Sequence, residues 1–334
     1  MKNQLTGLLI LMFCGIISCS NENALIEQKF VGETQGTYYA VTYFSNDSIN
    51  LQPEIDSLLH RFDSTASTYK PNSIISRINK NDPEVTTDSL FDIIFRKAMD
   101  VSEKSDGAFD ITVGNLVNAW GFGFTDPTKL DKQKVDSLLG FAGYKNVSLK
   151  DHKVTKVDPR TVIDFNAIAQ GFAVDVVASF LQSRGIENYL VDIGGEVLAK
   201  GTKPGNIKWN VGIEKPAEHA DDDRKVQRIV ELQDQALSTS GSYRKFYEVN
   251  GVRYSHTIDP KTGYPVSHSL LSASVLAPDC ITADACATVC MVLGHDKAKA
   301  FISRQKGLEA FFIYYEDSTM KTDYTPGFAK LLKE

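Results

Sequence analysis

The chain has 334 residues, 42% of them hydrophobic and 23% charged. That is the composition of an ordinary globular protein, and it sets aside disordered, collagen-like and solenoid readings. With 36 Lys and Arg against 42 Asp and Glu the formal charge is −6, the wrong sign for a nucleic-acid binder, and six histidines leave room for only a small His-rich metal centre.

The N-terminus reads as an address. Lys2 precedes an apolar run, Leu8 to Ile17, that ends in Ile16-Ile17-Ser18-Cys19. This describes a secretory signal, and the run is shorter than the roughly 20 apolar residues a spanning helix needs. The aliphatic-aliphatic-small-Cys ending resembles a bacterial lipobox, with Cys19 acylated after removal of residues 1–18; a plain cleaved signal is the alternative. Residues 19–28 are then a lipid-anchored tether, and 29–334 the working domain. Cys280, Cys286 and Cys290, odd in number and clustered, read as buried small hydrophobes rather than a disulfide framework.

Hydrophobic spacing predicts four main helices. The first opens at Pro53 and places Ile55, Leu58, Leu59 and Phe62 on one face. The second follows Asp88 (Phe91, Ile94, Phe95, Ala98, Val101), the third runs from about Ala167 to Arg184 before Gly185, and the fourth from near Thr282 to Leu293 before Gly294. Strands are expected at Tyr38–Phe44, Thr161–Asp164, Tyr189–Ile193, Trp209–Ile213, Ile229–Leu232, Val252–Ile258, Leu271–Leu276 and Ala310–Tyr314. Ala217–Lys225 reads as a solvated loop. Without a strict βαβ rhythm, the class is α+β: mixed, largely antiparallel sheets with packed helices, in two closely associated subdomains whose boundary no linker marks.

Several segments carry residues unusual for a plain fold. Asp106 to Gly114, continuing to Trp120-Gly121-Phe122-Gly123, combines glycines and aromatics, which suits close backbone approach to something flat or, equally, an aromatic core corner. In Val162-Ile163-Asp164-Phe165-Asn166-Ala167-Ile168-Ala169-Gln170-Gly171, a carboxylate ends an apolar strand just before a helix. Burying Asp164 there is costly unless donors or a cation meet it, and helix-start amides favour anions such as phosphate; the residue would otherwise be a simple N-cap. Asp175, further along this helix, is expected at solvent or in a salt bridge.

Asp284 and Thr288, at i and i+4, share one helix face about 5–6 Å apart. The small side chains between them leave two hard oxygen donors beside accessible backbone, a set that suits Mg2+ completed by water and substrate phosphate; a helix cap is the plainer reading of the pair. His256 precedes the tight turn Asp259-Pro260-Lys261-Thr262-Gly263 and is placed to point into a cleft; an isolated histidine is more often structural, but near metal-bound phosphate it would serve as a proton carrier. Ser238 to Tyr243 adds hydroxyls of the kind that line polar ligands. No P-loop, GxGxxG, GxSxG or HExxH signature occurs.

Taken in order, these segments resemble the ApbE family of bacterial FAD:protein FMN transferases, over nearly the whole chain after the signal. The resemblance is carried by Ser67-Thr68-Tyr69 with SIISRIN (Ser73–Asn79), GAFDITVGNLVNAWGFG, VIDFNAIAQG, LVDIGGEVLAKG, WNVGIEKP, LSTSGSYRKF, SHTIDPKTGYP and ITADACAT. It implies Mg2+-dependent splitting of FAD at its pyrophosphate, joining of the FMN half to a Thr or Ser hydroxyl of an acceptor protein, and release of AMP. The same resemblance implies Asp284, Thr288 and the Ala167 carbonyl as metal ligands. Gln35, Tyr69, Ala108, Phe109, Asp110, Asp164, Gln170 and Ile258 would contact FAD, and His256, with Asp110 as a second candidate, would take the acceptor proton. Relatives commonly carry Met at the position of Gln35 and Lys or Glu at that of Gln170. The implied setting is the periplasmic face of a bacterial membrane. The implied acceptors are flavin-carrying subunits of membrane redox complexes of the sodium-pumping NADH:quinone reductase (Nqr) or Rnf type. FAD hydrolysis to FMN and AMP, or lipid-anchored flavin binding without turnover, are the alternatives.

Overall fold

The computed structural model describes residues 25–123, 130–216, 225–242, 246–249 and 252–333. In chain order these form β1 (Ile26–Thr34), β2 (Thr37–Ser45), α1 (Gln52–Ala66), α2 (Ile74–Asn79), α3 (Ser89–Lys104), α4 (Gly114–Ala119), α5 (Lys132–Leu139), β3 (Val147–Lys150), β4 (Lys153–Lys156) and α6 (Ala169–Ser183). There follow β5 (Asn188–Ile193), β6 (Glu196–Lys200), β7 (Trp209–Glu214), β8 (Val226–Leu232), β9 (Gln235–Gly241), β10 (Phe246–Val249), β11 (Val252–Ser255), β12 (Leu270–Ala277), α7 (Cys280–Leu293), α8 (His295–Ser303), β13 (Glu309–Glu316), β14 (Thr319–Tyr324) and α9 (Pro326–Ala329).

An eight-stranded sheet runs β1-β2-β5-β6-β9-β12-β13-β14, every neighbouring pair antiparallel. Alternation along its strands sends side chains to two different cores. Tyr39, Val41, Tyr189, Val191, Ala236, Ala273, Val275 and Phe312 pack with α1, α3, α6 and α7. Val197, Ala199, Leu237, Leu276, Phe311 and Ile313 pack beneath the β7–β8 hairpin and Phe328 of α9. A third cluster joins Leu116, Trp120, Val135 and Ile258, pinned where the Trp120 indole N–H donates to the Gly263 carbonyl at 2.8 Å. Each large apolar side chain so buried contributes about 1.5–3 kcal/mol.

The expected helices are present. Asp88 caps α3 by accepting from the Phe91 N–H, and Asp279 caps α7 by accepting from the Thr282 N–H. Helix α6 begins at Ala169, two residues later than expected, and α7 begins at Cys280. Cys280, Cys286 and Cys290 are buried and reduced. Among the described residues no helix is long and apolar enough to cross a membrane.

Other expectations need correction. Thr161–Asp164 forms no ladder; its regular pairing is a single parallel bridge, Val113 to Val162. The amide of Asn79 takes the place of a neighbouring strand, donating to the Ile163 carbonyl and accepting from the Ile163 N–H, both at 2.8 Å. The strand expected over Val252–Ile258 ends at Ser255, with Ile258 in an isolated bridge to Pro265. β1 begins at Ile26, inside the stretch expected as a tether. Residues 1–24, with Cys19, and 217–224 of the expected loop lie outside the described residues.

Asp175 is neither at solvent nor defined by a salt bridge. Its carboxylate oxygens accept from the Cys280 and Ile281 N–H groups, each at 2.8 Å, so α6 clasps the start of α7. Burial outweighs these amides and pushes its pKa up to about 7.

Candidate active site

A cavity of about 790 Å3 opens where the ends of β5, β6 and β9 meet α6, α7 and the segments around Phe109 and His256. Gln35, Tyr69, Ala108, Phe109, Asp110, Asp164, Ala167, Gln170, His256, Ile258, Asp284 and Thr288 all line it. The structure therefore brings to one place residues drawn from almost the entire sequence.

Local chemistry explains each placement. Gln35 and Gly36 turn the β1–β2 hairpin with positive φ values of 51° and 72°, the left-handed pair a two-residue hairpin requires. The Gln35 Nε2 donor is buried without a hydrogen-bond partner. Ala108 and Phe109 follow the helix-ending Gly107, at φ 76°, and Tyr69 stands 66% exposed at the rim.

Asp110 is tightly held. Its Oδ1 accepts from the Thr112 N–H and hydroxyl at 2.7 and 2.6 Å, and its Oδ2 from the Tyr144 N–H at 2.7 Å; burial nevertheless raises its pKa. Asp164 is not the cap of α6. It accepts from the Asn166 N–H at 2.7 Å and side-chain amide at 3.2 Å, in a turn that ends the extended connector, and burial raises its pKa too. Gln170 is anchored by donating to the Ile193 carbonyl at 2.9 Å. The ring of Phe122 meets that of His256 edge-on, with centroids 6.3 Å apart.

Asp284 lies on the inner face of the almost wholly buried α7. Its Oδ2 accepts from the Gly171 N–H of α6 at 2.9 Å, and burial pushes its pKa up to about 7. One turn on, the Thr288 hydroxyl is 3.4 Å from that of Ser240 on β9. The pair is thus not a helix cap, since Asp279 fills that role.

Sequence reasoning missed Glu196. It begins β6 after Gly194 and Gly195, both at positive φ, and lines the cavity. Burial, and then the nearby charge of Asp284, raise its pKa well above the ordinary value, and its Oε2 is buried without a hydrogen-bond partner. An acid placed after a Gly-Gly turn at the head of an apolar strand was the available signal.

The lining carries Asp110, Asp164, Asp192, Glu196, Glu214 and Asp284, and no Lys or Arg among the described residues. An anionic ligand entering so acidic a site needs a mobile cation. Among the described residues no group of three or more His, Cys, Asp or Glu forms a metal cage. An ion here would depend on sparse carboxylate, hydroxyl and carbonyl oxygens together with ligand oxygens, which is how Mg2+ is commonly held.

The sequence matches the ApbE family over residues 35–312, and the chain belongs to that family. It is 36% identical to the FAD:protein FMN transferase of Vibrio cholerae over 100% of both chains. To that of Escherichia coli it is 36% identical over 90% of this chain and 88% of the relative. The solved structure of the flavin transferase ApbE from Vibrio cholerae superimposes with a TM-score of 0.82 at 34% identity, covering 92% of this chain and 100% of that one. The apo flavinyl transferase ApbE of Pseudomonas stutzeri gives 0.82 at 33% identity, covering 92% and 97%. The protein is accordingly an enzyme, a flavinyltransferase.

Proposed function

We propose that the protein transfers the FMN half of FAD to a Thr or Ser hydroxyl of an acceptor protein, in a Mg2+-dependent reaction that releases AMP. The observation that carries this reading is the convergence on one acidic cavity of aromatic, carboxylate and hydroxyl side chains suited to a flavin dinucleotide and its counter-ion. In the reaction the acceptor oxygen bonds to the FMN phosphorus, the bond from that phosphorus to the bridging oxygen breaks, and AMP leaves with that oxygen. Such phosphoryl transfer depends chiefly on positioning and charge neutralisation.

Asp284, Thr288 and the Ala167 carbonyl would hold Mg2+, which supplies neutralisation of the pyrophosphate charge. Tyr69 offers a flat apolar surface to a ring system, the Ala108–Phe109 stretch lines the cavity from the edge of the core, and Gln35 offers a donor. His256 takes the acceptor proton. Asp110, already fixed by Thr112 and Tyr144, is the second group able to do so.

The lipobox-like Ile16-Ile17-Ser18-Cys19 supports removal of residues 1–18, lipidation of Cys19 and attachment to the periplasmic face of a bacterial membrane. Acceptors there would be flavin-carrying subunits of Nqr- or Rnf-type redox complexes. Incubation with FAD, Mg2+ and a Thr-bearing acceptor is expected to give a covalent yellow product and stoichiometric AMP. No adduct beside an active control enzyme counts against transfer; AMP release at the same rate without acceptor would indicate hydrolysis, and retained FAD without AMP a binding protein.

A further inference from the structure

On the sheet side of the cavity the Glu196 carboxyl has one buried oxygen, Oε2, without a hydrogen-bond partner, while the Ser238 hydroxyl and the Thr239 backbone of β9 lie beside the group. The placement of Glu196 and Ser238 follows from strand alternation. Val197 on β6 and its partner Leu237 on β9 face the β7–β8 core, so Glu196 and Ser238, one residue on either side, face α7 instead. Ser240, two residues along β9, reaches Thr288 of α7. Across the gap stands Asp284, whose charge acts directly on Glu196.

A water molecule would satisfy Glu196 Oε2 but leave the two carboxylates without a countercharge whenever both are ionised. The cavity has no lysine or arginine among the described residues to offset them. A hard divalent cation does both, because it takes oxygen ligands and neutralises carboxylates. We propose that Glu196 is a second charged ligand of the divalent-cation site, holding the ion from the sheet while Asp284 and Thr288 hold it from α7. This rests on the metal-dependent reading above and adds to it a carboxylate drawn from a different structural layer.

The test is binding of Mn2+ alone to the metal-free full-length protein, followed by electron paramagnetic resonance, with Mg2+ calorimetry in parallel. Glu196→Gln keeps the shape and mimics a protonated acid, so it separates a metal ligand from a carboxyl that merely shares a proton with Asp284. It is expected to weaken Mn2+ at least tenfold (about 1.4 kcal/mol) and to shrink the rise in unfolding temperature that Mn2+ produces. Its unfolding temperature in EDTA should equal or exceed that of the wild type, because the neutral amide can never place a charge beside Asp284 in the buried site. Unchanged Mn2+ affinity in Glu196→Gln, with weakening in Asp284→Asn, overturns the assignment of Glu196 and leaves the metal-dependent reading intact. Absence of Mn2+ uptake by the wild type overturns both. Should Glu196→Gln melt early in EDTA, Glu196→Asp, which keeps the charge, decides: binding tighter than the Gln variant supports the assignment, and equal binding overturns it.

Discussion

Gly171 donates its N–H to Asp284 Oδ2 at 2.9 Å, and a Cβ added at 171 would sit 2.4 Å from the Cys280 carbonyl oxygen and 2.6 Å from Asp284 Cβ. Helices α6 and α7 thus touch backbone to backbone at the point where the cavity's central carboxylate is fixed. Gly171→Ala must part them. We expect a stability loss of about 1–3 kcal/mol from overpacking and a fall in turnover on the order of a hundredfold from displacement of Asp284. Denaturant unfolding and AMP release measure the two; full activity at reduced stability would show that the contact only supports the fold.

Asp284→Ala is expected to abolish turnover, and Asp284→Asn to do nearly the same while folding normally. Metal removal by EDTA should likewise stop the wild-type reaction, and excess Mg2+ should restore it. Rates that survive both treatments would remove the metal from the mechanism.

Acid–base behaviour follows from burial. Asp175 and Asp284 are each pushed from an ordinary 3.8 up to about 7, so the folded chain keeps protons that the unfolded chain releases near pH 4. Their contribution to stability is complete below about pH 4 and is lost as pH rises through about 7. The metal-free protein should therefore become easier to unfold between about pH 4 and 7, and Asp175→Asn should flatten that slope. Stability rising with pH over this window, by urea titration at several pH values, would contradict the burial of these acids.

Gln35 supplies a prediction in which two observables move apart. Its buried Nε2 lacks a partner, a cost of about 1–3 kcal/mol that a ligand acceptor would remove. Gln35→Met should stabilise the free protein by about 1 kcal/mol and weaken FAD binding by about tenfold. Thermal melts and FAD titration test it; parallel shifts would mean that Gln35 acts only in the hairpin.

Asn79→Ala should cost about 1–3 kcal/mol, because the Ile163 N–H and carbonyl both lose their partner. Since Ile163 adjoins Asp164, the KM for FAD should rise more than kcat falls.

What was legible in the sequence was what repeats locally. Helices α1, α3, α6 and α7 announced themselves through an apolar stripe and a glycine or proline at an end, and Asp284 with Thr288 through helical spacing. Strand β9, Gln-Ala-Leu-Ser-Thr-Ser-Gly, is not legible as a strand; Ser238 to Tyr243 read only as ligand-lining hydroxyls, because Ser238 and Ser240 occupy positions that face α7. The connector at Ile163 reads as a strand because its β-branched residues are those of strands, yet its partner is a side chain 84 residues away. Asp175 reaches amides 105 and 106 residues distant, a pairing that no local pattern encodes. Glu196 was visible as a letter, but its isolation among acids emerges only when β6 is laid beside α7.

The scarcity of fixed positive charge around the cavity, among the described residues, also bears on selectivity. If the proposed divalent ion is the escort that offsets these acids, free nucleotides should compete poorly wherever divalent ions are scarce. On the metal-dependent reading proposed above, occupancy by the dinucleotide would track the product of two concentrations, its own and the ion's, and turnover would stop when either supply fails.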